Sequence, residues 1–124
     1  MIKQVIDIDN KWKVIVYHDI NYDFFDEIIQ DVTSPVEEID KLYHNLITNK
    51  VKAFTISNFD TRTSVVGFNK HTSKLDYINS IVHEAEHVKQ HILSYYDVKD
   101  AGEPPAYTIG YIVMRMMEVF KLLM

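Results

Sequence analysis

The sequence predicts an α+β domain with a short antiparallel sheet covered by helices. Two observations carry this prediction: β-branched runs occur in pairs separated by turn residues, and apolar residues repeat at helical spacing in the segments between and after those pairs. The resulting order is strands, helices, strands, helix, helix, which is typical of the α+β class. A chain of 124 residues accommodates one ordinary domain, so residues 1–124 are expected to form a single unit.

The strands are predicted as two hairpins, each made of two β-rich runs around a polar turn. The paired runs are Val5–Ile8 with Lys13–Tyr17, and Val51–Ser57 with Thr63–Phe68. Asp9 and Asn10 supply the first turn, because both residue types tolerate the backbone conformations of tight turns. The run Val65–Phe68 is also a candidate edge strand, to which an extended peptide could add, although an ordinary sheet strand is the more frequent outcome.

Four helices are predicted from apolar stripes and start signals. Their approximate ranges are Tyr22–Val32, Pro35–Asn49, Ser73–Tyr95 and Pro104–Met124. Ser34 is expected to cap the second helix with Pro35 in the first helical position, and Ser73 is expected to cap the third. A polar break at residues 97–102 separates the last two helices.

Composition excludes several classes of function. The net charge is −5 and no basic cluster is present, so nucleic-acid binding is not expected. The chain has no cysteine, so any metal must be held by His, Asp or Glu. The N-terminus lacks a signal-peptide layout and no apolar run has the length of a membrane span, so we expect a cytoplasmic protein without membrane contact.

The chemistry of the chain is concentrated in the run His83-Glu84-Ala85-Glu86-His87. Two histidines four residues apart on a helix project from one face, where both rings can bind one Zn²⁺ at about 2.0–2.1 Å. Glu84 then lies beside the metal, where its carboxylate can act as general base towards a metal-activated water. The run therefore predicts a zinc site of the His-Glu-x-x-His type.

A catalytic zinc usually has three protein ligands, so a third is expected beyond His83 and His87. His91 lies one further turn along the helix, too far from a metal seated between the two histidines. Glu86 points away from their shared face. Glu103 follows the polar break at the start of the next helix, which could pack antiparallel and present its carboxylate to the metal. Geometry favours Glu103 as the third ligand.

The segment 81–87, followed by Gly102-Glu103-Pro104-Pro105-Ala106-Tyr107, resembles the gluzincin arrangement of zinc metallopeptidases. More narrowly, it is similar to small metallopeptidase-like proteins encoded by phages and prophages. The resemblance covers about residues 63–111 and implies a small zincin-like domain, with the sheet packed on the motif helix and a C-terminal helix carrying the third ligand. It implies zinc ligands at His83, His87 and Glu103, and a catalytic role for Glu84.

Two functional hypotheses follow. The first is a zinc-dependent hydrolase, a metallopeptidase acting on a peptide or protein substrate. The second is a non-catalytic zincin-like module that binds metal or another protein, because well-characterised gluzincins are larger and carry further substrate-binding subdomains. A metal-free helical interaction protein is a weaker third hypothesis. In each case a monomer or a weak homodimer is expected, since the C-terminal helix ends in apolar residues.

Further residues have weaker signals. The hydroxyls of Tyr107 and Tyr111 could assist an oxyanion, although tyrosines packed in the core are the more frequent outcome. Asp76 and Asp100 could orient a ligand imidazole, although for Asp76 a role in capping its helix is the more frequent outcome. His91 could support a metal ligand or lie on the substrate side of the metal, although a solvated helix histidine is the more frequent outcome.

Overall fold

The computed structural model describes residues 1–30, 32 and 34–124, which form a small α+β domain. The strands are β1 (Ile2–Ile8), β2 (Trp12–His18), β3 (Ala53–Asn58) and β4 (Thr63–Phe68). The helices are α1 (Phe25–Ile28), α2 (Val36–Ile47), α3 (Lys74–Tyr96) and α4 (Glu103–Leu123), and a 3₁₀ turn at Tyr22–Phe24 precedes α1. The predicted α+β class is confirmed.

The four strands form one mixed sheet in the order β1-β2-β4-β3. Both predicted hairpins are present, with β1 antiparallel to β2 and β3 antiparallel to β4. Asp9 and Asn10 occupy the first turn with φ angles of 52° and 57°, the left-handed region that these residues tolerate. The hairpins join through β2 and β4, which are parallel, so the prediction of a wholly antiparallel sheet was wrong.

The position of β4 in the middle of the sheet has a direct consequence for peptide binding. Every residue of β4 is buried, because the strand pairs with β2 on one side and β3 on the other. Val65–Phe68 is therefore an ordinary strand inside the sheet, the more frequent of the two outcomes, and not an edge strand. The edges of the sheet are β1 and β3.

Helices cover both faces of the sheet, because successive residues of a strand point to opposite faces. On one face Ile6, Val14, Val66 and Phe68 pack with apolar residues of α3 and α4. On the other face Ile15, Tyr17, Phe54 and Val65 pack with α1 and with Leu46 of α2. The motif helix thus lies against one side of the sheet.

The helical segments before β3 differ from the prediction in two details. The helix predicted over Tyr22–Val32 is reduced to the 3₁₀ turn and the single turn of α1, and Asp31 lies outside the described residues. Helix α2 begins at Val36, with Pro35 rather than Ser34 in the capping position. Pro35 has a ψ of 145°, which is extended, and its carbonyl accepts the first helical hydrogen bonds, so Pro35 cannot be the first helical residue.

Helices α3 and α4 form an antiparallel hairpin. The predicted cap of α3 is confirmed, since Ser73 Oγ accepts a hydrogen bond from the backbone N–H of Asp76 at 3.3 Å. Phe120, near the end of α4, packs edge-on against Tyr77 near the start of α3, with ring centroids 5.2 Å apart. In the described part of the chain, none of the helices has the length and apolar character needed to cross a membrane.

Candidate metal centre

Helix α3 packs on the sheet through a stripe that is not purely apolar. Ile81, Ala85 and Val88 are buried as expected, but so are the charged side chains of Glu84 and Lys89. Leu75, which the apolar pattern places in this stripe, is 78% exposed. The helix is therefore rotated so that Glu84 faces the sheet, while His83 stands at the surface beside it.

His83 and His87 meet as their spacing predicts. Their Nε2 atoms lie 3.1 Å apart, and the rings are edge-to-face with centroids 4.7 Å apart. His83 is exposed and His87 is half-buried, so the two nitrogens are accessible from one side of the helix. The pair presents two imidazole nitrogens to a common point.

Glu84 is held in one orientation by the neighbouring edge strand. The hydroxyl of Thr55 in β3 donates a hydrogen bond to Glu84 Oε1 at 2.9 Å. The other oxygen, Oε2, lies 4.0 Å from Nε2 of His83. One carboxylate oxygen is thus engaged, and the second lies next to the histidine pair.

Thr55 was not identified from the sequence, although a signal was present. In β3 the side chains of Thr55 and Ser57 face α3, whereas Phe54 and Ile56 belong to the apolar cluster on the other face. This alternation is visible in the sequence. What it cannot show is which helix residue lies opposite Thr55.

The separation of the two imidazoles can be compared with the geometry of zinc. Two nitrogens at about 2.0–2.1 Å from a tetrahedral zinc ion are roughly 3.3 Å apart. The observed 3.1 Å between the Nε2 atoms of His83 and His87 is close to that value. A chain without cysteine can offer zinc only nitrogen and oxygen ligands, and imidazole suits this ion well. The histidine pair therefore fits zinc.

The structure does not bring the predicted third ligand to this pair. Glu103 is the exposed first residue of α4. Because the two helices are antiparallel with Phe120 beside Tyr77, Glu103 lies level with the last turn of α3, about 10 Å along the helix axis from His87. Among the described residues, no three metal-ligating side chains converge on one point.

Two other carboxylates near the motif contact a lysine. Lys89 Nζ lies 2.8 Å from Glu86 Oε1 and 3.0 Å from Asp100 Oδ1. The hydrogen bond from Lys89 to Glu86 is the main reason that the pKa of this lysine is raised. Glu86 thus points away from the histidine pair, as expected, and Asp100 contacts Lys89 and not a ligand imidazole. Asp76 pairs with Lys52 at 3.3 Å.

His91, one turn beyond His87, is tied to the sheet through its Nδ1. That nitrogen and Ser57 Oγ are 2.6 Å apart, Ser57 is hydrogen-bonded to Ser64, and Trp12 Nε1 donates to Ser64 Oγ at 2.9 Å. Burial lowers the pKa of His91, and the charge of His87 lowers it further. This half-buried ring is held by β3, so His91 is not a solvated helix histidine.

The candidate catalytic residues lie in two different clefts. A cleft of about 340 Å³ between the start of β3 and α3 is lined by Lys50, Val51, Lys52, Ala53, Asn79, Ser80, His83 and Glu84. Tyr107 and Tyr111 instead line a separate cleft beside the β1–β2 turn, where Tyr111 accepts a hydrogen bond from Arg115. The structure thus places the oxyanion candidates away from the cleft that contains Glu84.

Comparisons of the chain with protein-family models, with curated proteins and with solved structures found no significant match. What the site can do therefore follows from its own side chains. These are two paired imidazoles, one carboxylate that Thr55 holds beside His83, and a cleft that His83 and Glu84 line.

Proposed function

We propose that the chain is a zinc-dependent hydrolase, a metallopeptidase with a zincin-like site on α3. His83 and His87 hold the metal, and Glu84 is the general base. One observation carries the proposal: the free oxygen of Glu84 lies 4.0 Å from Nε2 of His83, which is itself 3.1 Å from Nε2 of His87. The proposed base thus lies beside one of the two proposed ligands, and the two ligands contact each other.

Zinc, when bound, supplies a Lewis acid that polarises a scissile carbonyl and activates water. The chain itself supplies the proton acceptor. Glu84 takes the proton of the attacking water at Oε2, because Oε1 accepts the hydrogen bond from Thr55. Glu84 then returns the proton to the leaving amine, so the carboxylate ends the reaction in its starting state.

Glu103 is the proposed third ligand, and the folded chain holds it apart from the histidine pair. Its carboxylate lies at the first residue of α4, directly after Gly102, which has a φ of 83°. Glu103 is exposed, but about two helical turns separate it from His87, which exceeds the reach of its side chain, so binding the metal requires the first turn of α4 to move. In this proposal the first turn of α4 supplies the ligand when metal binds.

The second candidate function is a non-catalytic module that binds metal or another protein. The observation favouring it is that His83 and His87 are not joined by a third ligand among the described residues. The two candidates differ in the role of Glu84, because only the hydrolase needs its carboxylate to accept a proton.

The test is the variant Glu84→Gln, which keeps the shape of the side chain and removes its proton-accepting charge. We expect zinc to remain bound at one equivalent per chain while cleavage of a mixed peptide pool falls by at least about 100-fold. The matched control is Glu86→Gln, which changes the neighbouring carboxylate that contacts Lys89. That variant is expected to retain activity.

The outcomes separate the two candidates. Loss of cleavage with zinc retained supports the hydrolase. Zinc bound by wild-type protein without any peptide cleavage supports the non-catalytic module. Cleavage that persists in Glu84→Gln would contradict the assigned base.

A further inference from the structure

The cleft beside the histidine pair has a defined position. It lies between the loop that enters β3 and the exposed side of α3, and it contains His83 and Glu84 at one end. Lys50 and Lys52 line the other part of the same cleft. A substrate whose scissile bond lies at the histidine pair, and whose chain follows this cleft, therefore passes these two lysines.

Two cationic side chains line this cleft, although the chain as a whole is acidic. The net charge of the whole chain is −5, yet the two lysines line the cleft together, and Lys70 lines the adjoining depression that shares Lys52. Of the nearby acids, Asp76 pairs with Lys52 at 3.3 Å, and Glu84 is buried against Thr55. Lys50 and Lys70 are exposed and add positive charge near the cleft.

The neutral polar residues of the cleft are compatible with an anionic ligand. Asn79 is exposed on α3 and its amide can donate a hydrogen bond. Ser80 is already engaged: because His71 Nδ1–H donates to the carbonyl of Asn69, His71 Nε2 must accept the hydrogen bond from Ser80 Oγ at 2.9 Å. The side chains that can still donate into the cleft are therefore the lysines and Asn79.

We infer that the substrate carries a carboxylate on one side of the scissile bond, within reach of this end of the cleft, and that Lys50 and Lys52 bind it. This inference rests on the proposed function, since the histidine pair defines where the scissile bond lies. The carboxylate belongs to an acidic side chain or to the free end of the peptide, and both present the same group to the lysines. Each exposed lysine adds a modest gain in the free energy of binding, and dissolved salt screens this gain.

The test measures binding of three hydroxamate-capped peptides to the zinc-loaded protein. The hydroxamate chelates zinc, so binding is read without turnover. The peptides differ only after the hydroxamate: one carries Glu with an amidated end, one Gln with an amidated end, and one Gln with a free carboxyl end. We expect a carboxylate-bearing peptide to bind about tenfold more tightly than the neutral one at low salt. Preference for the Glu peptide identifies a side-chain carboxylate, and preference for the free acid identifies a terminal one.

The charge-reversal variant Lys50→Glu with Lys52→Glu is expected to abolish or reverse this preference without changing zinc content. Both lysines are exposed, so the fold should tolerate the change. The control is Lys41→Glu with Lys121→Glu, which reverses two exposed lysines of α2 and α4 that do not line the cleft. The control should keep the wild-type preference.

Failure of this inference differs from failure of the proposed function. If all three hydroxamates bind equally, or if the double variant keeps the preference, the carboxylate inference is overturned while the zinc site stands. If no hydroxamate binds and no zinc is retained, the proposed function fails and the inference falls with it.

Discussion

The hydroxyl of Thr55 decides which oxygen of Glu84 is free to accept a proton. The hydrogen bond of 2.9 Å to Oε1 leaves Oε2 beside His83. A buried carboxylate held at one oxygen has fewer orientations, and a general base acts best when its geometry is set before the reaction. We therefore assign Thr55 as a positioning residue for the proposed reaction.

The variant Thr55→Val removes this hydroxyl while nearly keeping the volume of the side chain. We expect kcat to fall by about tenfold or more, because Glu84 Oε1 loses its donor, while KM and zinc content stay unchanged. Thr55→Ser restores the hydroxyl and should recover most of the activity. Steady-state kinetics with zinc analysis check the prediction, and an unchanged kcat in Thr55→Val would contradict the assignment.

At the scale of elements, Lys89 connects α3 to the segment that leads into α4. Its ammonium binds Glu86 on the same helix and Asp100 in the connection, and the side chain is only 9% exposed. Both carboxylates are partly exposed, so part of this attraction is screened by water. The contact helps to determine where α4, and with it Glu103, begins.

The variant Lys89→Met keeps an unbranched side chain and removes the charge. We expect the free energy of unfolding to fall by about 1–2 kcal/mol, because two carboxylates lose their cation and one buried contact is lost. The control Lys74→Met changes an exposed lysine at the start of α3 and should have little effect. Urea denaturation measures both, and equal stability of Lys89→Met and wild type would show that the contact contributes nothing.

The variant Glu103→Gln tests the third ligand directly. If the start of α4 supplies that ligand, zinc affinity should weaken on the order of 100-fold, since a catalytic zinc relies on three protein ligands. Glu118→Gln changes another carboxylate of α4, one that pairs with Arg115, and should leave zinc affinity unchanged. Competition with a chromophoric chelator gives the affinities. Equal affinity of Glu103→Gln and wild type would remove Glu103 from the site.

For the molecule as a whole, a buried network joins both strands of the first hairpin to both long helices. Gln4 Nε2 donates to the carbonyl of Arg115, so Gln4 Oε1 faces His18 Nε2 at 3.0 Å. His18 Nε2 must then carry the proton, and Tyr77 donates its hydroxyl hydrogen to Nδ1. The network uses the neutral form of His18, which is fully buried.

This network predicts a loss of stability in mild acid. Burial lowers the pKa of His18 from 6.5 to about 4, so the folded state disfavours its protonation. The neutral ring is present in folded and unfolded chains above pH 6.5, and below that value the unfolded chain takes up the proton first. Stability should therefore fall between about pH 6.5 and pH 4, and His18 contributes about 2–3 kcal/mol of the loss by pH 4.5.

The check is urea denaturation at pH 7 and pH 4.5 of wild type, His18→Gln and His44→Gln. In His18→Gln the side chain cannot take up the proton. This variant should be less stable than wild type at pH 7, but acidification should lower its free energy of unfolding by about 2–3 kcal/mol less than that of wild type. His44 is exposed on α2, and its variant should follow the wild-type pH dependence. Parallel curves for His18→Gln and wild type would exclude His18 as the cause.

Local patterns in the sequence were sufficient for both hairpins, the cap of α3 and the pairing of His83 with His87. These features depend on residues close in the chain, such as two histidines one helical turn apart or an Asp-Asn turn between two strands. The short first helix could not be predicted in the same way, because an apolar stripe shows which side chains can be buried and not how long the helix continues.

Only the tertiary structure decided how these pieces combine. It joined the hairpins through β2 and β4, placed β3 at the edge beside α3, and set Thr55 against Glu84. It also put Glu103 about two helical turns from His87, whereas the motif alone favoured a complete ligand set. The reason is physical: periodicity determines which face of an element is buried, but the partner of that face depends on packing between segments distant in the chain.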